Sequence, residues 1–192
     1  MLTLSFIYAL NSCVASYPQK TVFVDMFDCS HTKGRVCYIS SQFEDWRPDS
    51  KQFPKDSLKG PLDAWQGERL VDWTKVKQVM LNRMDKAKSK GCAAIDFDNV
   101  DRSPVEYFKW LSVETRKRGM QVGLKNYAEK AKSLASYADF HVAEECTKYK
   151  ECHRYPSNTF FIEYMAVNKD VCKLRPYTLF ADLALKKFKF CP

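Results

Sequence analysis

Short apolar runs recur along this chain, and most of them close on a polar or charged residue. Thr21-Val22-Phe23-Val24-Asp25-Met26-Phe27-Asp28 and Arg35-Val36-Cys37-Tyr38-Ile39-Ser40 have the β-branched, apolar character of strands. A third run, 91–98, ends in Asp96-Phe97-Asp98. A fourth, 120–124, leads into Lys125-Asn126, a fifth, 138–143, ends at Glu144-Glu145, and a sixth, 159–164, ends at Glu163-Tyr164. Between them the apolar spacing turns helical. Asp72 reads as the N-cap of a helix through Lys90, with Val76, Val79, Met80 and Ala87 on its buried stripe and Gly91 closing it. Ser103-Pro104-Val105-Glu106 reads as a capping box opening a helix to Arg118, stopped by Gly119. A short helix over 128–136 and a last one over 180–189 complete the predicted elements.

Strand alternating with helix predicts an α/β fold with a parallel sheet, a (β/α) TIM-type barrel. In such a barrel the carboxyl ends of the strands converge on one face, where ligands and reacting groups sit. Asp98, Lys125, Asn126, Glu144 and Glu163 all fall at such ends. Asp96, Asp98 and Asp101 make the densest cluster. On an extended strand Asp96 and Asp98 share one face, and like charges that close repel, so a solvated acidic turn is the plain alternative to a site. The connection over 41–71 is too long for a casual linker and carries Trp46, Arg47, Trp65 and Glu68. Tryptophans beside charged residues suit a sugar cleft. They also suit a loop stapled to the core.

Eight cysteines point to an oxidising compartment. The N-terminus agrees: an apolar stretch over 1–10 precedes small residues at Ser12-Cys13-Val14-Ala15-Ser16. This predicts a signal peptide over 1–16, cleaved after Ala15 or Ser16, with a secreted domain over 17–192. A buried first strand or helix is the competing reading. Cleavage would remove Cys13 and leave an odd cysteine. The run is too short to span a membrane, so no membrane anchor is expected. The formal charge of +8 is spread over scattered lysines and arginines, with no nucleic-acid-binding signature, so no nucleic-acid partner is expected.

Several of these motifs, in order, carry a resemblance. They are Cys37-Tyr38-Ile39-Ser40 with Phe43-Glu44-Asp45-Trp46-Arg47-Pro48-Asp49, and Trp65-Gln66-Gly67-Glu68-Arg69-Leu70-Val71-Asp72. Lys90-Gly91-Cys92 with Asp98-Asn99-Val100-Asp101, and Gly123-Leu124-Lys125-Asn126, come next. Last are Asp139-Phe140 with Glu144-Glu145-Cys146, Tyr149-Lys150-Glu151-Cys152, and Glu163-Tyr164. The chain resembles glycoside-hydrolase family 114, secreted endo-α-1,4-polygalactosaminidases. The resemblance implies a (β/α) barrel that cuts a galactosamine or N-acetylgalactosamine polymer, working as a monomer on a polysaccharide substrate, with no cofactor and no metal. Asp98 matches the nucleophile and Glu144 the general acid/base. Asp96, Asn99, Asp101, Arg47, Trp46, Glu68, Lys125, Asn126, Glu163 and Tyr164 are the expected substrate-binding residues. Such chemistry needs one carboxylate ionised and one protonated. Lys125 and Asn126 are expected to keep Asp98 ionised, and Glu145 to keep Glu144 protonated by like charge.

The chain also departs from the family. The usual extra first strand is not evident, so the barrel is expected to be shortened or incomplete there. Ala93 stands for a common aspartate, Ala143 for asparagine, Arg116 for histidine and Tyr127 for an acidic residue. These losses, expected near the cleft, keep a second function in view, a catalytically degenerate relative that binds carbohydrate. A phosphatase-type reading of Asp96-Phe97-Asp98 fits poorly mid-chain behind a leader-like segment. No calcium-loop spacing is present, and His31, His141 and His153 lack zinc-ligand spacing. Cys146 with Cys152, and Cys172 with Cys191, are candidate bridges.

Overall fold

The computed structural model describes residues 5–62 and 65–192. In chain order its elements are β1 (Phe6–Tyr8), β2 (Thr21–Asp25), β3 (Val36–Ser40), β4 (Phe43–Glu44), β5 (Leu58–Pro61) and β6 (Glu68–Val71). Then follow α1 (Lys77–Ser89), β7 (Ala94–Asp98), α2 (Val105–Lys117), β8 (Gln121–Lys125), β9 (Phe140–Glu144), β10 (Thr159–Glu163), α3 (Lys169–Leu174), β11 (Leu179–Ala181) and β12 (Phe188–Phe190).

The main sheet runs β1-β2-β3-β7-β8-β9-β10-β11-β12. Every pairing from β1 to β11 is parallel, and β12 lies antiparallel on β11. The sheet curls into a nearly closed, TIM-like barrel. Asn11 Nδ2 donates to the Ala184 carbonyl, and the Phe6 ring packs on Phe160, so side chains join the two ends of the sheet.

Strand alternation sorts the side chains into two cores. Phe6, Tyr8, Phe23, Val36, Tyr38, Ala94, Phe140, Val142, Phe160, Ile162, Leu179 and Ala181 form one buried cluster inside the barrel. Ile7, Val22, Val24, Cys37, Ile39, Ile95, Phe97, Val122 and Leu124 face outward against α1 and α2. The floor of the barrel is aromatic: Phe23 packs edge-on to Phe6, Phe140 and Phe160. Gly123 makes room for it, because a Cβ there would lie 2.3 Å from the Phe140 ring.

Several expected elements sit differently. Phe6–Tyr8, inside the expected leader, form the first barrel strand, and Cys13 is bonded to Cys29. Arg35 Nη2 also holds the carbonyls of Val14 and Ala15. A cut after residue 16 would remove this strand and one half of that disulfide. The stretch 180–189 is not a helix. Leu179 and Ala181 face into the barrel as β11, the Asp182 side chain accepts from the Lys186 and Lys187 backbones to make a turn, and β12 returns. The stretch 128–136 forms successive turns.

The expected N-terminal caps differ as well. Val76, with no side-chain cap, precedes α1, while Asp72 closes a turn onto Thr74. The predicted capping box does not form: Ser103 Oγ instead accepts from Gln42 Nε2. Within the long connection, β4, β6 and β5 make a small antiparallel sheet beside the barrel mouth.

All eight cysteines are paired, as Cys13–Cys29, Cys37–Cys92, Cys146–Cys152 and Cys172–Cys191. This suits an oxidising environment. Among the described residues no helix is long and apolar enough to cross a membrane.

Candidate active site

The site follows from strand parity. Inward positions on β7 are Ala94, Asp96 and Asp98; on β9 they are Phe140, Val142 and Glu144. The lower positions fill the floor, and the uppermost ones open into the mouth. On β8 between them the inward residue at that height is Lys125. Its Nζ lies 3.0 Å from Asp98 Oδ2 and 2.8 Å from Glu144 Oε2, so one ammonium holds both carboxylates. Tyr38 Oη donates to Asp98 Oδ2 at 2.8 Å, and the Asn99 backbone N–H donates to Oδ1 at 2.8 Å. Asn99 has left-handed backbone, φ 59°, which turns the chain off β7 so that its N–H meets the preceding side chain. Tyr164 Oη donates to Glu144 Oε1, and Asn126 Nδ2 to Oε2 at 3.3 Å. Asn126 Oδ1 in turn accepts the Glu144 backbone N–H.

Two adjoining hollows, of about 290 and 340 Å³, share this floor. Asn99, Asp101 and Asn126 line the first; Trp46, Arg47 and Tyr164 line the second. Glu68, Asp98, Lys125 and Glu144 line both. A larger hollow of about 500 Å³ lies away from these acids, beside Phe161 and Arg175. Size alone does not mark the site; the converging carboxylates do. Trp46 is 50% and Trp65 66% exposed, so neither staples its loop to the core. Both stand at the rim as open aromatic faces.

Several expected substrate contacts sit differently. Glu163 is the outward residue beside inward Ile162. It is 1% exposed and accepts from the backbone N–H and hydroxyl of Thr147, under the Cys146–Cys152 loop. Parity keeps it out of the cleft. Asp96 is fully buried one step below Asp98, where Tyr8 Oη donates to its Oδ2 at 2.8 Å. Burial, with Asp98 and Glu144 nearby, pushes its carboxyl up to about 7 although Lys125 opposes this. Arg47 is spent internally on Asp25, Asp28 and Glu44. Glu145, expected to act on Glu144 by like charge, is paired with Lys148.

Tyr8 and Tyr38 hold the inward carboxyl groups of β7, and the sequence reading assigned neither to the site. Counting by two from Phe6 and Val36 reaches both. The family departures mostly fall off the cleft. Ala93 is exposed at the opposite end of β7, Ala143 packs outside the barrel, and Arg116 pairs with Asp139 on the surface. Tyr127 alone approaches the rim, near Ser103. The described residues hold one group with metal-ligand proximity, Cys146, Cys152 and Glu163, and a disulfide uses both of its sulfurs.

Comparison with known proteins fits this geometry. A family model described as Glycoside-hydrolase family GH114 matches residues 4–188. No curated protein sequence matches the chain significantly. The fold is similar to the crystal structure of Aspergillus fumigatus Ega3 in complex with galactosamine. Identity is 27% and the TM-score 0.83, over 97% of this chain and 93% of that one. An alpha-amylase from Geobacillus thermoleovorans complexed with acarbose, and one from Anoxybacillus, are each 11% identical, at TM-scores of 0.46 and 0.47. They cover 65% and 69% of this chain, and 41% and 42% of their own.

Proposed function

The chain belongs to glycoside-hydrolase family 114, and from that premise we propose that it is a secreted hydrolase of α-1,4-linked galactosamine polymers, with Asp98 as nucleophile and Glu144 as acid/base. The observation that carries this reading is the single Lys125 ammonium held between the two carboxylates at the barrel mouth. Glycoside hydrolysis needs two carboxyl groups flanking the scissile bond, and close spacing, about 5–5.5 Å, accompanies retention of configuration. Two oxygens that share one nitrogen partner lie no farther apart than the sum of those two contacts, which favours the close class.

In the first step an Asp98 oxygen bonds to the anomeric carbon as the glycosidic C–O bond breaks, and the Glu144 proton passes to the leaving oxygen. In the second, water gives its proton to Glu144 and its oxygen to the anomeric carbon, and the Asp98 ester bond breaks. Tyr38 and the Asn99 N–H orient Asp98 throughout, and Tyr164 and Asn126 orient Glu144. Lys125 offsets the repulsion between two acids that must work side by side.

The substrate class rests on charge and on the relative. The protein is basic overall, yet acidic side chains outnumber basic ones in its cleft, with Asp98, Asp101, Glu68 and Glu144 against Arg102 and Lys125. A cationic sugar is therefore drawn into a local negative field that a neutral one does not need. The solved relative was crystallised with galactosamine. The alternative of a binding-only relative drew on a shortened barrel and on lost polar groups near the cleft; a first strand at Phe6–Tyr8 and the placement of Ala93, Ala143 and Arg116 away from the carboxylates support the hydrolase reading.

The test is reducing-end release from acetylated and deacetylated α-1,4-galactosaminans. Wild type is expected to cut, and Asp98→Asn and Glu144→Gln each to lose roughly 10²–10⁴-fold in rate while remaining folded. A wild type that binds polymer without cutting it would make the binding reading correct.

A further inference from the structure

Glu68 has no place in the chemistry above, yet its position is unusual. It opens β6 in the small sheet beside the barrel mouth, directly across from Glu44. It is 6% exposed, and its Oε2 is buried without a hydrogen-bond partner. A buried carboxyl oxygen left unpaired costs free energy unless something completes it. The neighbouring cations are committed elsewhere: Arg47 to Asp25, Asp28 and Glu44, and Lys125 to Asp98 and Glu144. Glu68 borders both hollows, beside the exposed face of Trp65. Burial, with Glu44 and Asp98 close by, pushes its carboxyl up to about 7.

From this geometry we propose that Glu68 is a specificity residue, the acceptor for the free ammonium of a 2-amino sugar bound across the junction of the two hollows. The inference rests on the amino-sugar reading above and deepens it. An ammonium supplies the donor that the side chain lacks, together with a full opposite charge, so the contact is charge-assisted. It also favours the ionised carboxylate, so binding near neutral pH releases a proton from Glu68. An acetamido group brings no charge and a bulkier substituent to the same place. Selection is therefore for the deacetylated unit.

The test uses the full chain carrying Glu144→Gln, so that cleavage does not intervene. Titration calorimetry compares α-1,4-galactosamine tetramer with its fully N-acetylated counterpart, with and without Glu68→Gln, in buffers of different ionisation enthalpy. Glu68→Gln is expected to weaken the deacetylated tetramer tenfold or more and the acetylated one less than threefold, and to abolish the buffer-dependent proton release. Equal weakening of both tetramers, no weakening, or proton release unchanged by the substitution would overturn the proposal. So would a parent protein that binds neither tetramer. Glu68→Asp keeps the charge on a shorter arm and is expected to retain the preference for the deacetylated tetramer, which separates recognition from a folding defect. A Glu68-dependent preference in a wild type that cuts nothing would leave this inference standing and defeat the hydrolase reading instead.

Discussion

The barrel interior holds two layers built from the same strands by the same alternation, and they do opposite things. The lower layer is Phe6, Phe23, Phe140 and Phe160, ring against ring, with nothing charged in it. The upper layer is Asp98, Lys125, Glu144 and Tyr164, with Asp96 and Tyr8 between the two. Edge-on aromatic pairs contribute about 0.5–1.5 kcal/mol each beyond the apolar area they bury. Clustered carboxyl groups around one ammonium hold their positions at a cost in desolvation and repulsion. The floor stabilises the barrel; the mouth spends part of that stability on reactive groups held in place. One strand of β-structure can serve both ends because its inward positions change chemistry from apolar to acidic along its length.

That contrast predicts where substitutions act. Phe160→Ala empties the floor at a residue 2% exposed and is expected to cost about 3–5 kcal/mol, read by denaturant unfolding. A cost under 1 kcal/mol would mean that the floor does not carry the fold.

Asp96 marks the border, and its effect is smaller and depends on pH. Its folded carboxyl is raised to about 7, whereas an unfolded aspartate titrates near 3.9. Between those values the folded state keeps a proton that the unfolded state has lost. The stability this group contributes is therefore complete below about pH 4 and is lost as pH rises through about 7. Asp96→Asn keeps an acceptor for Tyr8 and has no charge to bury. Relative to wild type, the variant is expected to gain up to about 1.4 kcal/mol per pH unit between pH 4 and 7 and to level off above. A pH-independent difference in melting between the two proteins would contradict the assignment.

The acid half of this arrangement was legible in the sequence, because β7, β8 and β9 are apolar runs that end abruptly in Asp98, Lys125 and Glu144. Glu163 looked equivalent and was not. Phe160 and Ile162 both point inward, so the next glutamate points out, and only the register of β10 reveals that. The ends of the chain were harder. The apolar stretch over 1–10, followed by small residues, reads as a leader as readily as a buried strand, and the pairing of Phe6–Tyr8 with β2 and the Cys13–Cys29 bond appear only in the fold. The stretch 180–189 reads as a helix in the sequence; the turn that Asp182 makes with the Lys186 and Lys187 backbones is a local bond with no periodic signature. The bridge from Lys125 to two acids on flanking strands is a tertiary fact. Adjacent strand ends implied the neighbourhood, and the shared nitrogen needed the fold.

The central claim is that Asp98 and Glu144 act as a close pair around one ammonium. Proton NMR of the first sugar released from a deacetylated α-1,4-galactosaminan, followed before mutarotation, tests it most directly. The account predicts that the α-anomer appears first, by retention through an Asp98 ester. A β-anomer appearing first would place a water between more widely separated acids and contradict it.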